Sequence, residues 1–464
     1  MKTGYDVIVI GGGLVGHAIA WGLAQKQQRV AICDGADSDF RASRGNFGLV
    51  WVQGKGINCP AYSQLSLLAS ERWAEFARHL HSETGIDCGF HRPGGVNFCF
   101  TPEALQQAEH NMQQLQQHNP DFQWQVWNNA RLRHHIPEVS AKVAGAIYSP
   151  HDGHVNPLLT LSALSRAFLN AGGEYLPAIA VESIEPDTQG FTLHTPGASW
   201  QAQRIVLAAG LGNAQLGPMV GLPIPIEPIR GQVLVTERLA PFLHYPSNLL
   251  RQTEEGSVLI GDSHEHVGFN TDTLPEVQQR IAQRVLAAFP MLSQVQVVRS
   301  WGALRIMTPD GLPVYDQSVT YPGAFAVTCH SGVTLAALHS SLLTDWILGG
   351  TLNSLFEAFN VQRFEFHPLR LSDGPSVTIW VNDQPLVAPR GWTLAATLLA
   401  HGIRANRSTL QDKQPRGAFC MMGVCFECRV TVDNVTNVQA CMTPIRDGMK
   451  VTLTPALRDS HGQS

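Results

Sequence analysis

The most apolar stretch of this sequence outside its start, residues 206–223, is broken by glycines and polar side chains, so no run approaches the roughly twenty apolar residues of a bilayer-spanning helix. Lysine- and arginine-rich runs are also missing, and 32 basic against 37 acidic residues leave a formal net charge of −5. That balance provides no electrostatic footprint for nucleic acid or for an anionic membrane surface. Small molecules and proteins are the expected partners, and the cytoplasm the expected location. A secretory leader is not expected, because Gly11, Gly12 and Gly13 interrupt the apolar start and no small-residue cleavage pattern follows. Cysteine is scarce over most of the chain. Cys33, Cys59, Cys88, Cys99 and Cys329 stand singly and read as small buried hydrophobes of a reducing compartment, not as disulfide partners. The other four crowd together near the end.

What is present begins with Asp6-Val7-Ile8-Val9-Ile10-Gly11-Gly12-Gly13-Leu14-Val15-Gly16. Four consecutive apolar residues read as a buried parallel strand, and Leu14 to Lys26 as a helix whose first N–H groups face the glycine turn. Gly11 lets the chain turn, Gly13 lets the backbone approach a diphosphate, and Gly16 lets the helix pack on the strand. A second strand, Arg29 to Cys33, ends in Asp34, where a carboxylate can hold a ribose hydroxyl. Alone, the glycine motif also fits a simple α/β turn. With both strands and the acid in place it predicts a bound dinucleotide.

With 464 residues the chain should hold two to four domains at about 150 residues each. After the small-residue stretch Ala42 to Val50, helices are expected at Tyr62 to Leu80 and Pro102 to His118, with a strand in Gly94 to Phe100 between them. A polar loop, Tyr148 to Pro157, precedes a helix over Leu158 to Ala171. Its His151 and His154 lack a carboxylate or third imidazole at metal-ligand spacing and read as loop histidines. Strands are expected at Ala178 to Ser183 and Arg204 to Gly210. The second strand returns the chain to the nucleotide domain, so the other domain is inserted in pieces. Glu227 to Glu237 and Ser247 to Asp262 would build that second sheet, with a helix at Leu274 to Phe289. The strand from Ala324 turns at His330-Ser331-Gly332 into a helix running to Gly349-Gly350, whose N-terminus can stabilise negative charge on a bound ring system.

These segments, with Asp152-Gly153-His154, Ala208-Ala209-Gly210 and Arg305 before Asp310-Gly311-Leu312-Pro313, come in an order that resembles the D-amino-acid oxidase (DAO) family of FAD enzymes over about residues 4 to 365. The resemblance implies a Rossmann-like FAD-binding domain (about 1–60, 145–215 and 300–365) interleaved with an antiparallel-sheet substrate domain, an α/β plus α+β architecture. It implies extended FAD held by Gly11, Gly13, Leu14, Val15, Gly16 and Asp34, by Ser43, Asn46, Gly48 and Leu49, by Val181, Ala209 and Gly210, and by Ser331, Gly332, Val333 and Thr334. It also implies hydride transfer from an amine Cα–H to the flavin, with Arg305 and His330 at the reacting site. A guanidinium suits a substrate carboxylate because it offers two parallel donors, although a lone arginine is more often a salt-bridge partner.

A boundary is expected over Glu365 to Pro375, with a linker at 366–375 and a small domain at 376–464. Val377 to Val381 and Gln384 to Val387 read as a hairpin, and Leu394 to His401 as a helix capped by Thr393 and stopped by Gly402. Cys420, Cys425, Cys428 and Cys441 follow with the spacing C-x₄-C-x₂-C and a distant fourth thiol, the plant-type pattern for a [2Fe–2S] cluster. A structural zinc site is the alternative, but such sites usually use two short Cys pairs and only one C-x₂-C is present. The order of elements resembles a β-grasp ferredoxin-like domain. Its motifs are similar to the small ferredoxin-like subunits of hydrogen cyanide synthase and opine oxidase. That resemblance implies a hetero-oligomer with a further FAD/NAD-type electron-transfer subunit, or another acceptor. The combined expectation is an FAD-dependent dehydrogenase for a D-amino acid, imino acid, glycine or opine, relaying electrons through the cluster. An oxygen-using oxidase with a structural C-terminal domain and a non-catalytic electron-transfer subunit are the competing readings.

Overall fold

The computed structural model describes residues 4–35, 41–364, 375–409 and 415–453. The chain divides into two compact units, Met1–Val361 and Gln362–Ser464. Apart from Pro375, the expected linker lies outside the described residues. The elements that position the site are the strands β1 (Tyr5–Ile10), β2 (Val30–Cys33), β3 (Glu174–Leu176), β4 (Ala198–Leu207), β5 (Glu227–Arg238), β6 (Val297–Met307), β7 (Val314–Gln317) and β8 (Ala324–Thr328). The helices are α1 (Leu14–Gln25), α2 (Pro60–Thr84) and α3 (Gly332–His339).

One sheet runs β7-β8-β4-β1-β2-β3, parallel except for β7, and the hairpin Ser183–Pro186/Phe191–Thr195 extends from β4. Val7, Ile8 and Val9 are wholly buried, as expected of a central strand covered on both faces. Register places Ile10 beside Cys33 on one side and Leu207 on the other. The residues just beyond, Gly11, Asp34 and Ala208, therefore lie together at the carboxyl edge of the sheet, where open α/β folds bind ligands.

The inserted part is antiparallel. Leu250–Gln252, Ser257–Ile260, β5 and β6 form one sheet, and Gly95–Cys99, Gly145–Ser149 and Gln125–Asn128 another. Val96, Phe98 and Trp127 from the second pack in one core with Leu234, Leu250 and Ile260 from the first.

Several expected elements are corrected. The helix at Tyr62 to Leu80 is longer, because Pro60 is pre-set for a first turn and Gly85, at φ 71°, supplies the left-handed stop. Residues 177–182, expected as strand, connect β3 to Ser183–Pro186. The helix expected to reach Gly349 breaks after His339 and restarts at Leu342–Ile347. Ser340 and Ser341 turn their hydroxyls onto Ala337 O at 3.1 and 2.9 Å. The break brings Ser340 O so close to α1 that a Cβ on Gly22 would lie 2.0 Å from it.

The second unit is a mixed five-stranded sheet in the order Gln384–Pro389, Ser376–Val381, Lys450–Thr452, Arg429–Val432, Val435–Gln439. Leu394 and Leu398 of the helix Leu394–Ala400 bury against Ile379, Val430 and Val451. Thr393 caps that helix, its hydroxyl accepting from Ala396 N at 3.3 Å.

Candidate functional site

The glycine turn is dictated by space. At Gly11, φ +110°, a Cβ would lie 2.4 Å from Ala208 O, and at Gly16 it would lie 1.9 Å from Gly11 O. Only glycine lets β1 turn over the end of β4 and lets α1 start against that turn. Gly12 N donates to Asp34 Oδ1 and Tyr175 OH to Asp34 Oδ2, both at 2.8 Å. Asp34 thus sits at the end of β2 with each carboxylate oxygen accepting one bond. Residues 177–182 pass beside it, with Ile179 N donating to Asp34 O at 2.8 Å, and Val181 lies in that connection.

Ser43 reaches the same turn. Its hydroxyl accepts from Leu14 N at 2.9 Å and stands 2.8 Å from where a Gly13 Cβ would be. Asn46 shapes its own loop, donating to Ser43 O at 3.0 Å and accepting from Gly48 N at 2.8 Å. Gly48 has φ +81°, and its missing Cβ would meet Val155 O at 2.4 Å. Leu49 pairs with His154. Two further pins had no signal in the sequence reading. Asn213 holds the Ala209-Gly210 turn by accepting from Ala209 N at 3.0 Å and donating to Leu207 O at 3.0 Å and Thr328 Oγ1 at 2.6 Å. Trp73 of α2 donates to the Val333 and Thr334 carbonyls at 3.1 and 3.0 Å.

The starts of α1 and α3 meet. A Cβ on Gly332 would lie 3.1 Å from Val15, and Thr334 Oγ1 accepts from Trp51 N at 3.1 Å. Residues 11–16, 43–51 and 331–334 therefore form one connected wall.

Arg305 comes from β6 of the antiparallel sheet, and His330 from the turn between β8 and α3. Arg305 lies across β5, where a Cβ on Gly231 would be 2.3 Å from its Nη2. It donates from Nη1 to Ser263 O at 2.7 Å and pairs through Nη2 with Asp262. His330 is solvent-accessible, and desolvation, followed by the charges of Lys55, Arg305 and His264, drives its pKa down to about 3. The imidazole is therefore uncharged at neutral pH.

Lys55, which the sequence reading passed over, is the largest of those charges. Its ammonium donates to Ser331 Oγ and, at 3.5 Å, to Thr334 Oγ1. Tyr62 OH shares Ser331 Oγ at 2.6 Å. Burial pulls Lys55 down to about 8, with Cys329 and Asp152 opposing the shift. Asp152 is fully buried and is raised to about 7 by desolvation, although it accepts from Val52 N, Gln53 N and Gln53 Nε2. The two loop histidines are apart: His151 Nε2 accepts from Gln123 N at 3.0 Å, and His154 faces His91 with ring centroids 5.6 Å apart.

In the second unit the four cysteines lie near one another, Cys420 beside Cys425 and Cys441 within reach of both Cys428 and Cys420. Backbone N–H groups of Cys425, Glu427 and Cys441 donate to Cys420, Cys425 and Cys428 Sγ, each at 3.4 Å. N–H groups lower Cys420 to about 6, in the thiolate range a metal ligand needs. Among the described residues no three His, Cys, Asp or Glu side chains converge as a single metal ion requires. Four neighbouring thiols with backbone N–H groups aimed at three of the sulfurs fit a two-iron cluster.

A glycine turn at the carboxyl edge of a parallel sheet with an acid on the next strand, together with a small thiol-rich unit, is the arrangement of a redox flavoprotein. The FAD dependent oxidoreductase (DAO) family matches residues 6–346, and the chain belongs to that family. A 2Fe-2S iron-sulfur cluster binding domain matches residues 374–455. An opine oxidase subunit of Agrobacterium tumefaciens (strain Ach5) is 43% identical over 361 residues, 77% of this chain and 97% of the relative. Hydrogen cyanide synthase subunit HcnC of Pseudomonas aeruginosa is 26% identical over 79% of this chain and 98% of its own. The crystal structure of glycine oxidase from Geobacillus kaustophilus superposes with a TM-score of 0.73 at 25% identity, covering 78% of this chain and 99% of that one. The protein is an oxidoreductase for amine donors with FAD and a [2Fe–2S] cluster as its cofactors. No helix among the described residues is long and apolar enough to cross a membrane.

Proposed function

We propose that this chain is the catalytic subunit of a dehydrogenase for an amino acid or N-substituted amino acid, such as glycine, an imino acid, a D-amino acid or an opine, passing its electrons to a partner. The observation that carries this reading is the joining of a cluster unit to a flavoprotein unit, since the opine oxidase relative covers only 77% of this chain. FAD, when bound, supplies the two-electron acceptor for the Cα hydride, and the cluster supplies a one-electron outlet.

The chain's own residues do the positioning. Gly11, Gly13, Gly16 and Asp34 would hold the adenosine diphosphate part, and Ser43 to Leu49 with Ser331 to Thr334 the flavin. Cys420, Cys425, Cys428 and Cys441 would hold the cluster. Arg305 would bind the substrate carboxylate. His330, kept neutral, offers a lone pair to the substrate N–H without adding a positive charge beside the developing iminium. The natural acceptor would be a further FAD/NAD-type subunit or another redox protein in a hetero-oligomer.

Anaerobic addition of candidate amines to the purified full chain tests this reading. Bleaching of the flavin band followed by reduction of the cluster, with slow reoxidation by air and fast reoxidation by an artificial acceptor, is the expected result. Fast turnover with oxygen and an unreduced cluster would identify an oxidase instead.

A further inference from the structure

The loop that carries Cys420, Cys425 and Cys428 turns its apolar side chains outward. Its Cys425 and Glu427 N–H groups point inward at sulfur, each at 3.4 Å, and Met421 and Phe426, both at φ 56°, take the left-handed backbone region although neither is glycine. Phe419 is 82% exposed, Met422 67% and Val424 68%, and Met421 and Phe426 are exposed as well. Exposed Met442 adjoins them, since a Cβ on Gly423 would lie 2.9 Å from it. Elsewhere in this unit, among the described residues, only Trp380, Val387 and Val435 are large, apolar and comparably exposed. A single exposed apolar residue is ordinary, whereas a contiguous group marks a surface made to be covered. The thiols open to the same side: Cys420 and Cys425 are partly exposed, while Cys428 and Cys441 are buried. The rim is basic. Arg407 and Arg416 share Glu427, at 3.1 and 3.9 Å, and Arg429 donates to two neutral oxygens, Phe426 O at 3.1 Å and Asn437 Oδ1 at 3.4 Å. Among the described residues, three guanidinium groups therefore stand around the loop against one carboxylate.

Resting on the dehydrogenase reading above, we propose that this collar is the docking face for an electron-accepting protein whose own redox centre lies in an apolar patch rimmed by carboxylates. One electron leaves the reduced cluster on the Cys420 and Cys425 side and reduces the partner's one-electron centre, with no bond made or broken. Phe, Met and Arg are residue types concentrated at interface cores, and methionines repack readily against an unlike surface. Apolar contact expels water from between the two centres, while the arginines steer an acidic face into place and disfavour a basic one.

The test uses the full chain loaded with FAD and cluster and reduced by dithionite, so that it depends on no substrate. Two oxidised probes are compared: plastocyanin, an acidic copper protein, and cytochrome c, a basic haem protein. Reoxidation of the cluster band should be faster with plastocyanin than with cytochrome c at low salt, and should slow at least about tenfold as salt rises. Phe419→Ser combined with Met422→Ser should slow it at least about fivefold. Arg416→Gln combined with Arg429→Gln should flatten the salt dependence. Unaltered cluster bands and midpoint potential report an intact loop in each variant. Calorimetric titration of the oxidised chain with oxidised plastocyanin, in which no electron moves, should give binding heat for wild type and none for either double variant. Preference for cytochrome c at low salt, or double variants that match wild type, would overturn the proposal. So would a self-associated chain that the Phe419/Met422 variant converts to monomer, because a second copy would then cover the collar. Slower reduction of the cluster by an amine in that variant, with the plastocyanin rate unchanged, would overturn it too, since the collar would then serve the step inside the chain. Failure of every candidate amine to reduce the cluster, with the plastocyanin results as expected, would sink the dehydrogenase reading alone.

Discussion

Asp262 pairs with Arg305, so the guanidinium expected to receive a substrate carboxylate already faces an internal one. Asp262 is more than a third exposed and competes with the incoming anion. Asp262→Asn keeps an oxygen acceptor for Nη2 but removes the charge. It should lower KM for amino-acid substrates about two- to fivefold, the effect of relieving one partly screened like charge. Steady-state kinetics decide it, and an unchanged or raised KM would mean that Asp262 serves to orient Arg305.

Gly231 provides a second way to reach Arg305. A methyl group at residue 231 would occupy the space of the guanidinium, so Gly231→Ala should mimic Arg305→Lys without touching the arginine. Both should raise KM roughly 10- to 150-fold, the equivalent of about 1.5–3 kcal/mol for a lost charge-assisted contact, with flavin content unchanged. Parallel kinetic and absorbance measurements check the pair.

Asp34→Ala removes the acceptor of both the Gly12 N–H and the Tyr175 hydroxyl. FAD should then be lost on gel filtration, with retention weakened by about 1.5–3 kcal/mol. Tyr175→Phe should weaken it less, since the Gly12 bond remains. Equal loss in the two variants would assign the effect to the hydroxyl.

Asp152 predicts a pH-dependent stability. Its folded pKa of about 7 lies above the ordinary carboxylate value, so between roughly pH 4 and 7 the folded state holds a proton that the unfolded chain has released. Its contribution should therefore fall as pH rises through that window and level off above it. The difference in thermal unfolding between wild type and Asp152→Asn across pH 5 to 9 should show this slope, because the buried histidines titrate alike in both.

Cys428→Ser should remove the cluster's visible bands, because the buried Cys428 sulfur also accepts from Cys441 N. Flavin reduction by substrate should persist, while turnover with the physiological partner collapses. Normal turnover with that partner would exclude the relay.

Much of this architecture was legible in the chain because its signals are local. A buried strand, three glycines and a helix start occupy eleven successive residues, and an acid follows at the end of the next strand. The C-x₄-C-x₂-C spacing likewise lies within one loop. The misread elements were those where a tertiary contact overruled local pattern. The helix beyond His339 breaks where Ser340 O approaches Gly22, a glycine more than three hundred residues earlier in the chain.

What the sequence by itself determined was the dinucleotide turn, the family resemblance and the identity of the four thiols, since each depends on short-range spacing or the absence of a Cβ. Only the tertiary structure decided that Lys55 would reach Ser331, that Asp262 would meet Arg305, and that the Cys441 N–H would meet the Cys428 sulfur. The cause is geometric: Lys55 and Ser331 are 276 positions apart, and which distant polar groups share a cleft depends on how the sheets pack, which local periodicity does not encode.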